Sequence, residues 1–128
     1  MPWGETDAAG IVFYPNYARW FDQATHEFFR ELGYPMHDVH RRGYGLPARE
    51  TTVRYRRSAR YDDELLVTTV VEEVRIRGFR LGHTVLRGEE LLAEGHEVRV
   101  WVRFQPDGEL DPEALPDDLR GLLTAETG

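Results

Sequence analysis

The sequence predicts an α+β fold in which one long helix packs on a curved antiparallel sheet, and three observations carry that prediction. Apolar side chains recur at helical spacing over residues 15–33; from Leu46 onward the spacing falls to about two through four long runs; and 128 residues with no internal repeat or linker make a single domain over 1–128. With 41% apolar and 12% aromatic side chains the chain can bury a core, which excludes a disordered polypeptide.

The helix is the clearest element. Pro15 suits its first position, Gly33 its C′ stop, and Pro35 lies just beyond. Tyr17, Phe21, Ala24, Phe28 and Leu32 form an apolar stripe, with Trp20 and Phe29 at its flanks. Arg19, Asp22, Gln23, His26 and Arg30 take the other side. A short strand is expected before the helix. Four longer ones are expected near residues 47–58, 64–77, 79–88 and 91–105, separated by turns at Asp62-Asp63, Gly78 and Gly88-Glu89-Glu90. In the last strand Val98, Val100, Val102 and Phe104 alternate with Arg99, Trp101 and Arg103, which predicts that the valine face is buried. Glu72-Glu73 and Glu89-Glu90 read as exposed turn charges. After Pro106-Asp107-Gly108 a weak helical stretch, about 112–123, is expected on the surface.

Composition narrows the chemistry. With no cysteine there is no disulfide, thiolate metal site or cysteine nucleophile, so the reacting groups are oxygen or nitrogen. A net charge of −7 argues against a protein that coats nucleic acid. Apolar runs such as Ala8–Tyr14 fall far short of the ~20 residues of a membrane span, and the N-terminus lacks a signal-peptide layout; a cytoplasmic protein is expected. His37-Asp38-Val39-His40 offers too few ligands for zinc, and no metal is expected. His26, His83 and His96 are scattered, so no nucleophile–His–Asp triad can be assembled, and they read as structural or solvated. All 16 basic residues are arginine, and seven of them (Arg54, Arg56, Arg57, Arg60, Arg75, Arg77, Arg80) lie between positions 54 and 80. That cluster fits either a solvated sheet face or a site that pairs the phosphates of a small polyanion in bidentate fashion.

The chemistry concentrates ahead of the helix, where Trp3-Gly4-Glu5-Thr6-Asp7-Ala8-Ala9-Gly10-Ile11-Val12-Phe13-Tyr14-Pro15 sets a carboxylate and a small-residue turn before a helix start. A helix N-terminus has unpaired amides and a positive dipole end, which favour charge developing on a bound carbonyl oxygen. Pro15 has no amide hydrogen, so the nearest donors are those of Tyr14, Asn16 and Tyr17. A carboxylate arriving from the loop can act on a carbonyl held by such donors. Asp7 in Asp-Ala-Ala-Gly equally suits an Asx turn, with Thr6 beside it orienting the carboxylate or simply occupying the loop.

The run Glu5-Thr6-Asp7-Ala8-Ala9-Gly10-Ile11-Val12-Phe13-Tyr14-Pro15-Asn16-Tyr17-Ala18-Arg19-Trp20 resembles the signature of the 4-hydroxybenzoyl-CoA thioesterase family of hot-dog-fold acyl-CoA thioesterases. The similarity continues through Gly33-Tyr34-Pro35, Gly45-Leu46-Pro47 and Tyr61-Asp62-Asp63-Glu64-Leu65 to the strands around residue 104, leaving only the tail unmatched. The resemblance implies a long helix wrapped by a five-stranded antiparallel sheet, with two subunits joining sheets edge to edge.

It further implies an acyl-CoA substrate, no cofactor, no nucleic-acid or membrane partner, and a homodimer or homotetramer. Asp7 matches the aspartate that attacks the thioester carbonyl or activates water. Tyr14 matches the residue whose backbone amide polarises that carbonyl. Arg75 and Arg77 match positions that hold the CoA phosphates, with Ile76 where a third basic residue occurs, and Asp22 matches an acid that receives a ring hydroxyl in members acting on hydroxybenzoyl groups. Only Met1 to Glu5 remain for the first strand, which is longer in relatives, and a start further upstream is expected. Two other functions fit the same fold. One is a non-hydrolytic module that binds an acyl-CoA or acyl carrier protein. The other is a dehydratase, which would want a histidine near the helix entrance, where this chain has none.

Overall fold

A computed structural model describes residues 15–60 and 62–127. The long helix α1 (Pro15–Glu31) is followed by a short helix α2 (Met36–Arg41), then strands β1 (Tyr44–Gly45), β2 (Ala48–Tyr55), β3 (Leu66–Val74), β4 (Gly78–Arg87), β5 (Glu90–Val100), β6 (Val102–Phe104) and β7 (Leu110–Pro112), and helix α3 (Asp117–Ala125). Four of the strands form an antiparallel sheet in the order β2-β5-β4-β3, against which α1 packs. This is the helix-on-sheet arrangement that the sequence predicts; the expected N-terminal strand lies outside the described residues.

The helix ends where Gly33 requires it to. Gly33 adopts φ of 86°, its amide bonds the Arg30 carbonyl at 3.1 Å, and the Tyr34 amide reaches back to the Phe29 carbonyl at 2.8 Å. These two bonds close the helix with a Schellman motif and satisfy carbonyls that would otherwise be orphaned. The buried stripe is rotated from the expected one: Tyr17, Phe21, Thr25 and Phe29 are fully buried, whereas Ala24, Phe28 and Leu32 are only half-buried. Thr25 displaces Ala24 because a polar partner waits beneath it in the sheet.

The last strand shows the largest departure from the sequence pattern. Glu97, Arg99 and Trp101 point inward and are buried, while Val98 and Val100 lie on the outer face and Phe104 is exposed. The expected continuous strand over 91–105 breaks at Trp101, after which β6 leaves the main sheet to pair with β1 and β7 in a second, three-stranded sheet. Trp101 itself is buried and stacks on Tyr44, with ring centroids 5.0 Å apart.

The β3–β4 connection also differs. β3 ends at Val74 rather than running to 77, and the Arg75 amide closes a tight turn on the Gly78 carbonyl at 2.8 Å, so that Ile76 and Arg77 form its tip. Gly78 begins β4 rather than making the turn; a Cβ there would come 2.1 Å from the Arg99 carbonyl oxygen, so only glycine allows β4 to meet β5. Glu72 and Glu73 lie within β3 at a register shift, not in a turn. The bulge lets Glu72 reach His96 at 2.6 Å and Arg80 at 3.1 Å across the outer face.

The segment after α1, to which the sequence reading gives no element, and the tail, which it puts on the surface, are both parts of the core. The α2 helix, unmarked in the periodicity because it is barely two turns long, buries Met36 and Val39. The tail helix runs over Asp117–Ala125, later than the expected 112–123, and buries Leu119 and Leu123 with Leu115 against Phe29, Phe79 and Leu81. Tyr34 fastens it from the end of α1. Burial and its hydrogen bond to Asp118 push the Tyr34 hydroxyl up to about 12, and the same bond lowers Asp118.

Candidate active site

Between the two apolar clusters of the core lies a layer of charge. Around Tyr17 and Phe21 the helix packs on Val85, Leu92 and Ala93; around Phe29 it packs on Phe79, Leu81 and the tail. At the level of Thr25 the sheet instead offers His83 on β4 and, on β5, Glu97 and Arg99, all buried. Thr25 donates its hydroxyl to Glu97 Oε1 at 2.5 Å, and His83 Nε2 meets the same oxygen at 2.6 Å. Arg99 Nη2 bonds Glu97 Oε2 at 2.6 Å, and Arg99 Nη1 bonds the Leu46 carbonyl at 3.0 Å. Phe21 stacks on the imidazole of His83 at 4.7 Å and shields it.

Burial alone would raise the Glu97 carboxyl. The His83 hydrogen bond, the Arg99 charge and the Thr25 hydroxyl outweigh it, and the group is held at about 2. Glu97 is therefore an acceptor, and His83 must carry a hydrogen on Nε2. The other ring nitrogen, Nδ1, lies 3.0 Å from the Thr69 hydroxyl on β3. The layer thus runs from Arg99, over Glu97 and His83, to Thr69.

Thr69 opens onto a cavity of about 810 Å³ between α1 and β3, a volume suited to a small-molecule group. Its helix wall is Trp20, Gln23, Ala24, Glu27, Phe28 and Glu31; its sheet wall is Leu65, Val67 and Thr69, with Asp63 and Glu64 at the strand entrance. The residues that disturb the expected helix stripe, Ala24 and Phe28, are half-buried because they line this space. Two of the four carboxylates around the cavity are tied to arginine: Glu27 to Arg30 at 2.9 Å and Asp63 to Arg87 at 2.8 Å. Burial works against ionising Asp63, but the Arg60 amide and the Arg87 guanidinium outweigh it and its carboxyl lies below the usual carboxylate range.

Of the residues singled out from sequence, Asp7 and Tyr14 lie outside the described residues; Pro15, which follows Tyr14, is the first residue of α1. Asp22 sits on the polar edge of that helix, half-exposed, and its carboxylate accepts from Arg99 Nη2 at 2.6 Å with His26 3.7 Å away. Arg75 and Arg77 do not share a strand: both are exposed in the β3–β4 turn. Arg75 makes two hydrogen bonds to the Glu73 carboxylate, each 3.0 Å, which raise its own pKa and lower that of Glu73. His37 and His40 lie on α2, the first 3.3 Å from Asp38 and the second against the Phe104 ring. Sequence reasoning missed the His83–Glu97–Arg99 layer, since a histidine and a glutamate in strands 14 residues apart carry no local signal of pairing. The one available sign was the absence of an apolar residue at positions 97 and 99, on the face that turned out to be buried.

No helix among the described residues is long and apolar enough to cross a membrane. The profile of the thioesterase-like superfamily matches residues 1–123. The chain is 36% identical over 117 residues to the 4-hydroxybenzoyl-CoA thioesterase of Pseudomonas sp. strain CBS-3, covering 85% of this chain and 82% of that one. It is 27% identical over 115 residues to the acyl-CoA thioester hydrolase YbgC of Escherichia coli, covering 90% and 84%. Among solved structures, a gentisyl-coenzyme A thioesterase superposes with a TM-score of 0.85 at 34% identity, covering 97% of this chain and 95% of that one. The Pseudomonas enzyme superposes with a TM-score of 0.84 at 32% identity, covering 95% and 93%. With the signature ahead of α1, the helix-on-sheet architecture and these likenesses taken together, the chain belongs to the thioesterase-like superfamily and is a thioester hydrolase of the hot-dog fold.

Proposed function

We propose that this enzyme hydrolyses an acyl-CoA thioester to the free acid and CoA, with Asp7 as nucleophile or general base. The observation that supports the reading is the start of α1 at Pro15, the residue that follows Tyr14 in the chain, on a helix that also walls the cavity. In the nucleophilic form the Asp7 carboxylate adds to the thioester carbonyl, the Tyr14 amide and the helix dipole stabilise the oxyanion, and the CoA thiolate departs. The resulting anhydride is opened by water to free acid and regenerated carboxylate. In the general-base form Asp7 takes the proton of the attacking water and the anhydride is bypassed. Arg75 and Arg77 take the nucleotide phosphates from their turn, and Asp22 takes part in acyl recognition.

The test is a panel of acyl-CoA thioesters followed by release of free thiol. Asp7→Asn removes the acid–base or nucleophilic group at nearly constant volume, so turnover is expected to fall at least ~10²-fold with folding retained. Near-normal turnover by Asp7→Asn on the best substrate overturns the role of Asp7, and no release from any thioester overturns the reaction.

The active form is a homodimer or homotetramer. β2 is eight residues long, largely exposed, and has no strand on its outer side among the described residues, an edge that a second sheet would cover. Leu66 and Val70 add exposed apolar surface on the outer face of β3. Light scattering at micromolar concentration is expected to return a multiple of 14.9 kDa; a monomer mass overturns the assignment.

A further inference from the structure

The outer face of the main sheet, on the side away from α1, carries a second concavity of about 610 Å³. We propose that it is an anion site in which Arg49, Arg54 and Arg80 hold a diphosphate, the group that a free nucleoside diphosphate and the nucleotide end of CoA both carry. It lies on strands β2, β4 and β5, and Arg75 is the one side chain it shares with the β3–β4 turn.

The strand register builds the groove. Glu50, Thr52 and Arg54 alternate along β2 and sit opposite Val98, His96 and Glu94 of β5. Strict alternation would send Arg49 to the inner face, but the register shifts between Ala48 and Glu50, and Arg49 borders the same groove as its neighbour. On the other side of β5, Arg80 of β4 lies opposite Val98. Four arginines thus surround a floor of Thr52 and Val98, against one lining carboxylate, Glu50.

Part of that charge is already engaged. Arg75 is held by Glu73, and Arg56 occupies Glu94 at 2.6 Å. Arg49 and Arg54 are exposed and make no ion pair among the described residues. Arg80 Nε is buried and has no hydrogen-bond partner among them, because the Glu72 oxygen 3.1 Å away lies off the N–H direction. An oxygen of a bound anion supplies the acceptor that this N–H lacks. In a chain of net charge −7, unpaired arginines around one concavity are a local excess of positive charge.

The spacing selects the class of anion. Arg49 and Arg54 lie roughly 16 Å apart along β2 at the usual rise of a strand. A diphosphate, with oxygens at both ends, spans more of that gap than a single phosphate, and guanidinium forks pair its oxygens two at a time. The remaining volume over Thr52 and Val98 leaves room for a nucleoside.

Calorimetry at low salt with inorganic diphosphate, ADP, CoA and pantetheine tests the site. Diphosphate and ADP are each expected to bind once per chain. Arg49→Gln, Arg54→Gln and Arg80→Gln are each expected to weaken ADP about fivefold, and the Arg49→Gln, Arg54→Gln double variant more than about tenfold. Thermal unfolding of the double variant is expected to match the wild type, since both side chains are exposed. Failure of both diphosphate and ADP to bind overturns the proposal. So does an unchanged ADP affinity in the double variant, which would place the anion elsewhere, on Arg77 at the turn if Arg77→Gln abolishes binding. CoA separates the two sources of the group. Displacement of ADP by CoA, with CoA but not pantetheine weakened in the same variants, identifies the nucleotide end of CoA; CoA and ADP bound together identify a free nucleotide, and either result upholds the site. Binding is read without turnover, so a failure of thioester hydrolysis is a separate result.

Discussion

Thr25, at the midpoint of α1, donates its hydroxyl to the carboxylate of Glu97 on β5, and both side chains are almost wholly removed from solvent. The contact places a charged group under the centre of a helix whose neighbouring turns bury Phe21 and Phe29. A buried carboxylate is tolerated only when its lone pairs are occupied and a cation lies beside it, and here Thr25, His83 and Arg99 supply both conditions. Removing one partner strands the others, so the layer favours a single seating of the helix on the sheet.

That layer makes the fold sensitive to acid in a definite direction. The Glu97 carboxyl is at about 2 in the folded protein and at the ordinary glutamate value of 4.5 when unfolded, so its contribution is complete above 4.5 and is lost as pH falls toward 2. By pH 3 the loss from this group is roughly 2 kcal/mol. Urea unfolding of the wild type and Glu97→Gln at pH 7 and pH 3 checks it: the wild type is expected to lose about that much more stability than the variant over the interval. Equal losses would mean that Glu97 is not the acid-sensitive group.

The tail is expected to behave as core. Leu119 and Leu123 are fully buried, whereas Leu122, on the same helix, is exposed. Leu119→Ala is therefore expected to cost roughly 2–5 kcal/mol and Leu122→Ala less than about 1, measured by denaturant unfolding. Two small, similar losses would return the tail to the surface.

Phosphate recognition by the β3–β4 turn predicts a separation of kinetic constants. Arg77→Glu is expected to raise KM on the order of tenfold with kcat little changed, because phosphate binding is felt equally in the ground and transition states. Added salt narrows the gap to wild type, since both arginines are exposed. Arg75→Glu combines that effect with repulsion from Glu73, its present partner. On an acyl-pantetheine lacking the nucleotide, the Arg77 variant and the wild type are expected to be nearly equal; a persisting defect would make Arg77 a charge of the turn with no part in binding.

Much of the fold was legible because it is written in local patterns. The α1 boundaries follow from Pro15 and Gly33, which act on their own backbone, and the β4–β5 turn follows from Gly88, whose φ of 61° suits glycine. The family signature is equally local, a continuous run from Glu5 into the first turns of α1 at Trp20. These features depend on residues within a few positions of one another, so a linear reading finds them.

What only the tertiary structure decided is which face of each element looks inward. The alternation in β5 was visible, but the rule that valine goes in and arginine stays out chose the wrong face. Glu97 and Arg99 are inward because His83 and Thr25, 14 and 72 residues away in sequence, complete their hydrogen bonds and charge. The same partnership turned the helix so that Thr25 replaced Ala24 in the buried stripe, leaving Ala24 and Phe28 to line a cavity. A buried ionic layer is stable only when every member arrives at once, and no window of sequence contains more than one or two of them. Apolar burial is additive and can be read residue by residue; polar burial is conditional on its partners, and it is decided by the fold as a whole.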